Sequence, residues 1–214
     1  MAAISTYRNN LLSTTLPLSP AGENDYQAGL ALEKRGDFFN AFLSYKKAAD
    51  QDHTEAQFML GICYESGQGV VRNSQQAKEW YQKAAEKGHA EAQLINAACY
   101  ANGYGVDKDD NKAAYWDHQA AHQNHPQAQF YLAHHFAYGQ GVEMNKTESA
   151  KWYLKAAEKG DAEAQYALGV CYEHGTGVVK SRERAFYWYQ EAAKQGNEQA
   201  QIRYDFFMTL PMHG

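Results

Sequence analysis

Small and apolar positions in this chain keep two rhythms, one helical and one much longer. Within about a dozen residues they recur three and four apart, the spacing of one helix face. The same arrangement then returns after 36 residues: Ala56-Gln57 is matched by Ala92-Gln93, Ala128-Gln129, Ala164-Gln165 and Ala200-Gln201. Gly67, Gly103, Gly139 and Gly175 keep that step, each followed by a second glycine and then by Val70, Val106, Val142 or Val178. Trp80, Trp116, Trp152 and Trp188 hold the register of a second helix. A fixed period of this size marks an array in which each unit buries its apolar face only by stacking on its neighbours.

Local chemistry predicts where the helices begin and end. A first helix opens after His53, His89, His125, Asp161 and Asn197, with Pro126 in a first turn that tolerates it. These histidines read as turn or cap residues rather than ligands. Glu55, Glu91 and Glu163 fall where a helix dipole favours acids. The glycines close the helix, and a second one starts after Asn73, Asp109, Asn145 and Ser181, with capping-box spacing from Asn145 to Glu148. Inside each pair, Ala77, Ala113 and Ala185 should face the small column Gly61, Ala97, Ala133 and Gly169, so that two backbones approach closely. The tryptophan column reads as packing between layers rather than as a ladder for stacking a ligand.

Residues 24–53 form a shorter unit whose Ala28, Gly29, Leu32, Gly36-Asp37, Ala41, Tyr45 and Ala48 resemble a tetratricopeptide repeat. The later units carry four extra residues between their helices, the Gly-x-Gly-Val loop. With the Cys-Tyr, Trp-Tyr and Ala-Ala columns, that loop makes the chain similar to the Sel-1-like repeat family, over roughly residues 24–209. The expected fold is all-α, an α/α solenoid coiled into a right-handed superhelix. Its parts are an N-terminal arm (1–23), the tetratricopeptide-like unit (24–53), four full repeats (54–89, 90–125, 126–161, 162–197) and a terminal helix with tail (198–214). In the arm, Pro17 and Pro20 oppose a helix through the patch of Leu11, Leu12, Leu16 and Leu18.

Composition narrows the function. A net charge of −5 and scattered Lys and Arg give no footprint for nucleic acid. No apolar run is long enough to span a bilayer, and no secretory signal is visible, so the cytoplasm is the expected compartment; an effector exported without a cleaved signal would look the same. Cys63, Cys99 and Cys171 share one column of different repeats, too far apart to pair, and read as core residues. No nucleophile–base set recurs and no phosphate-cradling loop follows a strand, so neither an enzyme nor a cofactor is expected. Some cysteine-rich, secreted members of the resembled family are linked to β-lactam binding or hydrolysis. The paired cysteines and export signal of those members are lacking here, so that activity is not carried over.

What the resemblance implies is an adaptor that grips a protein or peptide segment along the first helices, with a bacterial signalling, envelope or host-interaction role. Mapped onto this chain, the groove columns are Glu55, Glu91, Gln127 and Glu163; Phe58, Leu94, Phe130 and Tyr166; Ile62, His134 and Val170; Glu65 and Glu173; and Asn102, Tyr138 and His174. An immunity or inhibitor protein acting on a cognate toxin or enzyme is an alternative. Phe206, Phe207 and Met208 are expected either to pack on the last full repeat or to mark a homodimer contact.

The second full repeat breaks its own columns most: Asn96 stands where others have leucine and Asp117 where others have tyrosine. In the next repeat His135 stands where others have cysteine, with His134 beside it. His118 and His122 have the spacing that shares a helix face. Three readings stay open: a buried hydrogen-bond network of Asn96, Asp117 and a histidine; a solvent-facing histidine patch; or a metal or small-molecule site drawing on His118, His122, His135 and Asp117.

Overall fold

A computed structural model describes residues 21–209; most of the expected N-terminal arm and the end of the tail lie outside them. Among the described residues are eleven helices and no strand. They are α1 (Glu23–Glu33), α2 (Phe38–Ala49), α3 (Thr54–Ser66), α4 (Ser74–Glu86), α5 (Ala90–Asn102), α6 (Asp110–His122), α7 (Pro126–Tyr138), α8 (Lys146–Glu158), α9 (Ala162–His174), α10 (Arg182–Lys194) and α11 (Glu198–Thr209). The contacts divide the chain into two compact units, Met1–Asn73 and Ser74–Gly214. In the first, α2 packs on both α1 and α3; in the second, each of α4 to α10 packs on the next.

The helix starts are the expected ones, and the histidines cap them. The Nδ1 atoms of His53, His89 and His125 accept from the backbone N–H of Ala56, Ala92 and Ala128, at 3.2, 3.2 and 3.4 Å. Asp161 and Asn197 do the same for Ala164 and Ala200. A ring that accepts at Nδ1 carries its proton at Nε2, and that proton is used. His125 Nε2 lies 2.9 Å from Glu91 and His53 Nε2 lies 3.0 Å from Glu23, so each cap also ties its helix to the helix two before it. Asn197 Nδ2 repeats the tie by donating to Glu163 at 3.0 Å.

Small residues let the paired helices close up. Ala113, Ala120, Ala128, Ala156, Ala164, Ala185 and Ala192 are fully sealed from solvent, as are Leu132 and Leu168. A methyl group added at Gly169 would lie 2.7 Å from the Tyr189 ring, and one at Gly29 would lie 2.5 Å from the Tyr45 ring. These glycines are therefore set by ring contact and not by turn geometry. Burial pushes the Cys63 and Cys171 thiols up to about 11, in keeping with their place in the core.

The glycine loop does more than end a helix. After the first glycine it folds back, and Asp109, Asn145 and Ser181 donate their N–H to the carbonyls of Tyr100, Phe136 and Tyr172 at 2.8 to 3.0 Å. At Gly141 and Gly177 the second glycine then rests on the preceding repeat. A Cβ at Gly141 would sit 1.9 Å from the Asp110 carbonyl oxygen, and one at Gly177 would sit 2.0 Å from that of Lys146.

The recurring Ala-Gln pair acquires a physical reason as well. Gln93, Gln129 and Gln165 are buried, and each donates to a carbonyl at the end of the helix before it: Ala85, Ala121 and Ala157, at 3.1 to 3.2 Å. Their side-chain oxygens need a donor in return. Gln123 supplies it to Gln93 and Gln195 to Gln165, each at 2.8 Å. The same register position after Gln129 is Lys159, whose ammonium donates instead to the Asn124 carbonyl, and Gln129 Oε1 is left buried without a donor. Lys159→Gln completes the ladder. It is expected to stabilise the protein by about 1 kcal/mol, because satisfying a buried acceptor outweighs one exposed hydrogen bond. Thermal unfolding checks it: the midpoint rises by roughly 2–4 °C for a domain of this size.

Candidate functional site

The broken columns of the second and third full repeats form a site, though not with all the expected members. Asp117 on α6 is only 3% exposed, in the place where Tyr153 and Tyr189 fill the core of later repeats. His135 on α7 is 8% exposed and reaches it with Nε2 at 3.0 Å from Asp117 Oδ2. The other ring nitrogen, Nδ1, lies 2.9 Å from the Gln140 carbonyl oxygen in the following loop. A carbonyl can only accept, so Nδ1 carries a hydrogen, and Asp117 and Nε2 share one further proton between them. Burial is the main influence on the Asp117 carboxyl and raises it above its usual range, with His135 pulling the other way. Its second oxygen, Oδ1, is buried with no donor.

Asn96 takes no part in this pair. Its Nδ2 donates to Gln82 of α4 at 2.9 Å, so the expected single network is two separate ones, because the two side chains turn to different neighbouring helices. His118 and His122 do not join Asp117 and His135 at a common point. Their rings stack at 4.1 Å, His122 Nδ1 is held 2.9 Å from the His118 carbonyl, and the His122 ring rests 5.1 Å from Trp152. No group of three His, Cys, Asp or Glu side chains disposed to hold a metal ion occurs among the described residues. Burial, and then the neighbouring His122, lower the His118 imidazole below its usual range.

A cavity of about 400 Å³ opens beside the pair. Leu94, Ala97, Ala98 and Ala101 of α5 form one wall, Phe130, Tyr131 and His134 of α7 the other, with Asn102 and Gln140 at the side. Asp117 and His135 line it too. The His134 ring lies 4.3 Å from Tyr138 and 6.4 Å from Phe130, and burial with the neighbouring His135 lowers its imidazole, favouring the neutral form. The cavity thus has an aliphatic side, an aromatic side and a polar corner.

The groove columns divide by exposure. Glu55, Glu65, Glu91, Asn102, Gln127, Tyr138, Glu163 and His174 are exposed; Phe58, Ile62, Phe130, His134, Tyr166, Val170 and Glu173 are half-buried; Leu94 is buried. Several polar members already have partners within the fold: Glu91 with His125, Glu163 with Asn197, and Glu173 with the Tyr189 hydroxyl at 2.5 Å and Arg203 at 3.5 Å. Columns read from spacing alone could not show that these acids are held by partners 16 to 34 residues further along the chain. Of the two expectations for the terminal residues, Phe207 follows the packing one: it is buried and lies edge-on to Tyr189 at 5.6 Å, covering that ring at the end of the described helices. Phe206 and Met208 remain exposed. No described helix is long and apolar enough to cross a membrane.

Comparison with known proteins follows the same architecture. A family model for the Sel1 repeat matches residues 26–53, 54–89, 90–125, 126–161 and 162–197. A protective antigen of uropathogenic Escherichia coli with an SLR fold is 30% identical, with a TM-score of 0.81 over 87% of this chain and 41% of that one. A Sel1 repeat protein of Oxalobacter formigenes is 35% identical, with a TM-score of 0.70 over 78% of this chain and 48% of that one. The chain therefore spans less than half the length of either. An immunity protein of Pseudomonas aeruginosa is 25% identical, with a TM-score of 0.51 over 86% of this chain and 69% of that one. DAP3-binding cell death enhancer 1 of rat and of mouse is 41% identical over 44 residues, 21% of this chain and 9% of that protein.

Proposed function

Because the chain belongs to the Sel1 repeat family, we propose that it is a non-catalytic scaffold gripping a segment of a partner protein along its first helices. The observation that carries this reading is the cavity between α5 and α7. Leu94, Asn102, Phe130 and His134, all positions of the groove columns, line it, and of these Asn102 is exposed while Phe130 and His134 are only half-buried by packing within the repeats. Half-buried aromatic rings beside exposed polar tips suit a surface that buries an apolar anchor and hydrogen-bonds around it. Its role lies in bacterial signalling, the envelope or host interaction.

Affinity capture from the native cell, comparing substitutions on two faces, tests it. Phe130→Asp or Tyr166→Asp should remove the captured partner while the helical circular dichroism is kept. Tyr115→Asp, at an exposed position on a second helix, should leave capture intact. Loss with Tyr115→Asp and retention with the other two would overturn the reading.

A second reading is favoured by the likeness to the immunity protein: the bound segment belongs to a cognate toxin. Co-expression with the product of a neighbouring toxin gene checks it, since survival should require Phe130 and Tyr166.

A further inference from the structure

We propose that the cavity between α5 and α7 is a receptor for one aromatic ring carrying a neutral O–H or N–H donor, supplied by a tyrosine or tryptophan of the bound segment. The inference rests on the groove reading above and gives the pocket its ligand chemistry.

Two other units show what the cavity lacks. In the last full repeat the Tyr189 ring lies 5.8 Å from Tyr166 and its hydroxyl donates to Glu173. In the first unit the Tyr45 hydroxyl likewise donates to Glu33. The repeat containing the cavity has replaced both halves of that arrangement: Asp117 stands in the tyrosine column, and Ala101 stands where Glu173 does. Removing a phenol ring and the side chain that accepts from it leaves a space between Leu94 and Phe130 of about 400 Å³, near the lower end of the roughly 300–1,000 Å³ usual for small-ligand sites. An acceptor has meanwhile been placed at its root. In the last full repeat and the first unit the fold supplies the ring and a glutamate accepts; here the fold supplies the acceptor, and the ring is to come from outside.

The proton count selects a neutral donor. Since Nδ1 of His135 donates to Gln140, one proton lies between Nε2 and Asp117 Oδ2, and the pair is neutral as a unit whichever atom holds it. In either arrangement Asp117 Oδ1 is an acceptor, and in the fold it is buried without a donor. An ammonium group arriving there would leave one uncompensated positive charge between apolar walls, which is costly at low dielectric. A phenol or an indole N–H satisfies the oxygen without adding charge, and its ring faces Phe130 and His134.

Titration of the 15N-labelled chain with 4-methylphenol and 3-methylindole tests the pocket, with 4-methylanisole, 1,3-dimethylindole and 4-methylbenzylammonium as probes that lack the donor or carry charge. Shifts confined to residues of α5 and α7 are expected, with the methylated and cationic probes at least ten-fold weaker. Asp117→Tyr, which restores the column residue and refills the space, should abolish binding. Ala98→Trp, at an exposed position on the rim, should do so without touching the core. Equal affinity for methylated and unmethylated probes, no shift at millimolar probe, or unchanged binding to Ala98→Trp would overturn the proposal. Blocked tyrosine and tryptophan amides give the source: binding like the free rings supports a side chain in a polypeptide, and binding of the free rings alone overturns that assignment. Tyr166→Asp lies outside the cavity, so loss of partner capture and loss of ring binding are read independently.

Discussion

Gly141→Ala is expected to destabilise the protein by about 4 kcal/mol, whereas Gly160→Ala, on the same unit, costs about 1 kcal/mol. Both glycines adopt left-handed backbone, with φ of 69° and 89°, so both variants bear the usual strain of a side chain there. They differ in what the new methyl meets. At Gly160 nothing lies within 4 Å, while at Gly141 the Asp110 carbonyl oxygen would be 1.9 Å away, with its carbon at 2.4 Å and the Asn111 nitrogen at 2.8 Å. All three are backbone atoms at the start of α6 and cannot rotate aside, so the loop must lift from the preceding repeat and lose the contact that fixes the register between them. Gly105 supplies an internal control, since a methyl there would meet only the flexible Lys78 side chain at 3.8 Å. Urea unfolding of the three alanine variants reads the difference as a shift in midpoint at similar slope. A loss at Gly141 no larger than that at Gly160 would show that the loop does not hold the repeats together.

His135→Ala is expected to cost about 3–5 kcal/mol near neutral pH, the usual penalty for stripping one partner from a buried ion pair. Asp117 is nearly sealed, its Oδ1 already lacks a donor, and the variant would leave Oδ2 without one as well. The cost carries a pH signature. In the native protein burial already raises the Asp117 carboxyl, and the two influences that lower it most both come from His135. Removing the ring raises the carboxyl further. A carboxyl raised on folding binds its proton more readily in the folded state, so ionisation opposes folding. The penalty is therefore greatest above the raised value and shrinks as pH falls toward the unfolded value near 3.8. Unfolding of the wild type and the variant across pH 4 to 8 should show the two curves converging on the acid side. Parallel curves would mean that the two side chains are not coupled. Asp117→Asn in the His135→Ala background should recover part of the loss, because a neutral amide does not carry the cost of a buried charge.

Most of the architecture is legible in the sequence because each helix boundary has a local chemical cause. A cap such as Asn145, a first-turn proline at Pro126 and a left-handed glycine at Gly139 act within a few residues of themselves, and the 36-residue step repeats them. The deviation that forms the site is legible too, since Asp117 and His135 each break a column that neighbouring repeats keep. Their partners are not. Spacing places Asn96, Asp117, His118, His122, His134 and His135 near one junction, but which of them meet depends on side-chain direction across three helices. Asn96 turns back to Gln82, His122 turns to Trp152, and only His135 reaches Asp117.

The sequence by itself determined the repeat, the helix ends and the small columns, because periodic burial and capping are local demands that any stacked helical array must meet. Only the tertiary structure decided that the Ala-Gln pair is a ladder of buried amides, that the second loop glycine is a contact between repeats, and that Glu91, Glu163 and Glu173 are already spoken for. It also decided that exchanging a tyrosine for Asp117 opens a cavity with an unsatisfied acceptor in its corner. Each of these depends on distances between residues on different helices, from 8 to 34 positions apart in the hydrogen bonds, fixed by how the helices seat on one another.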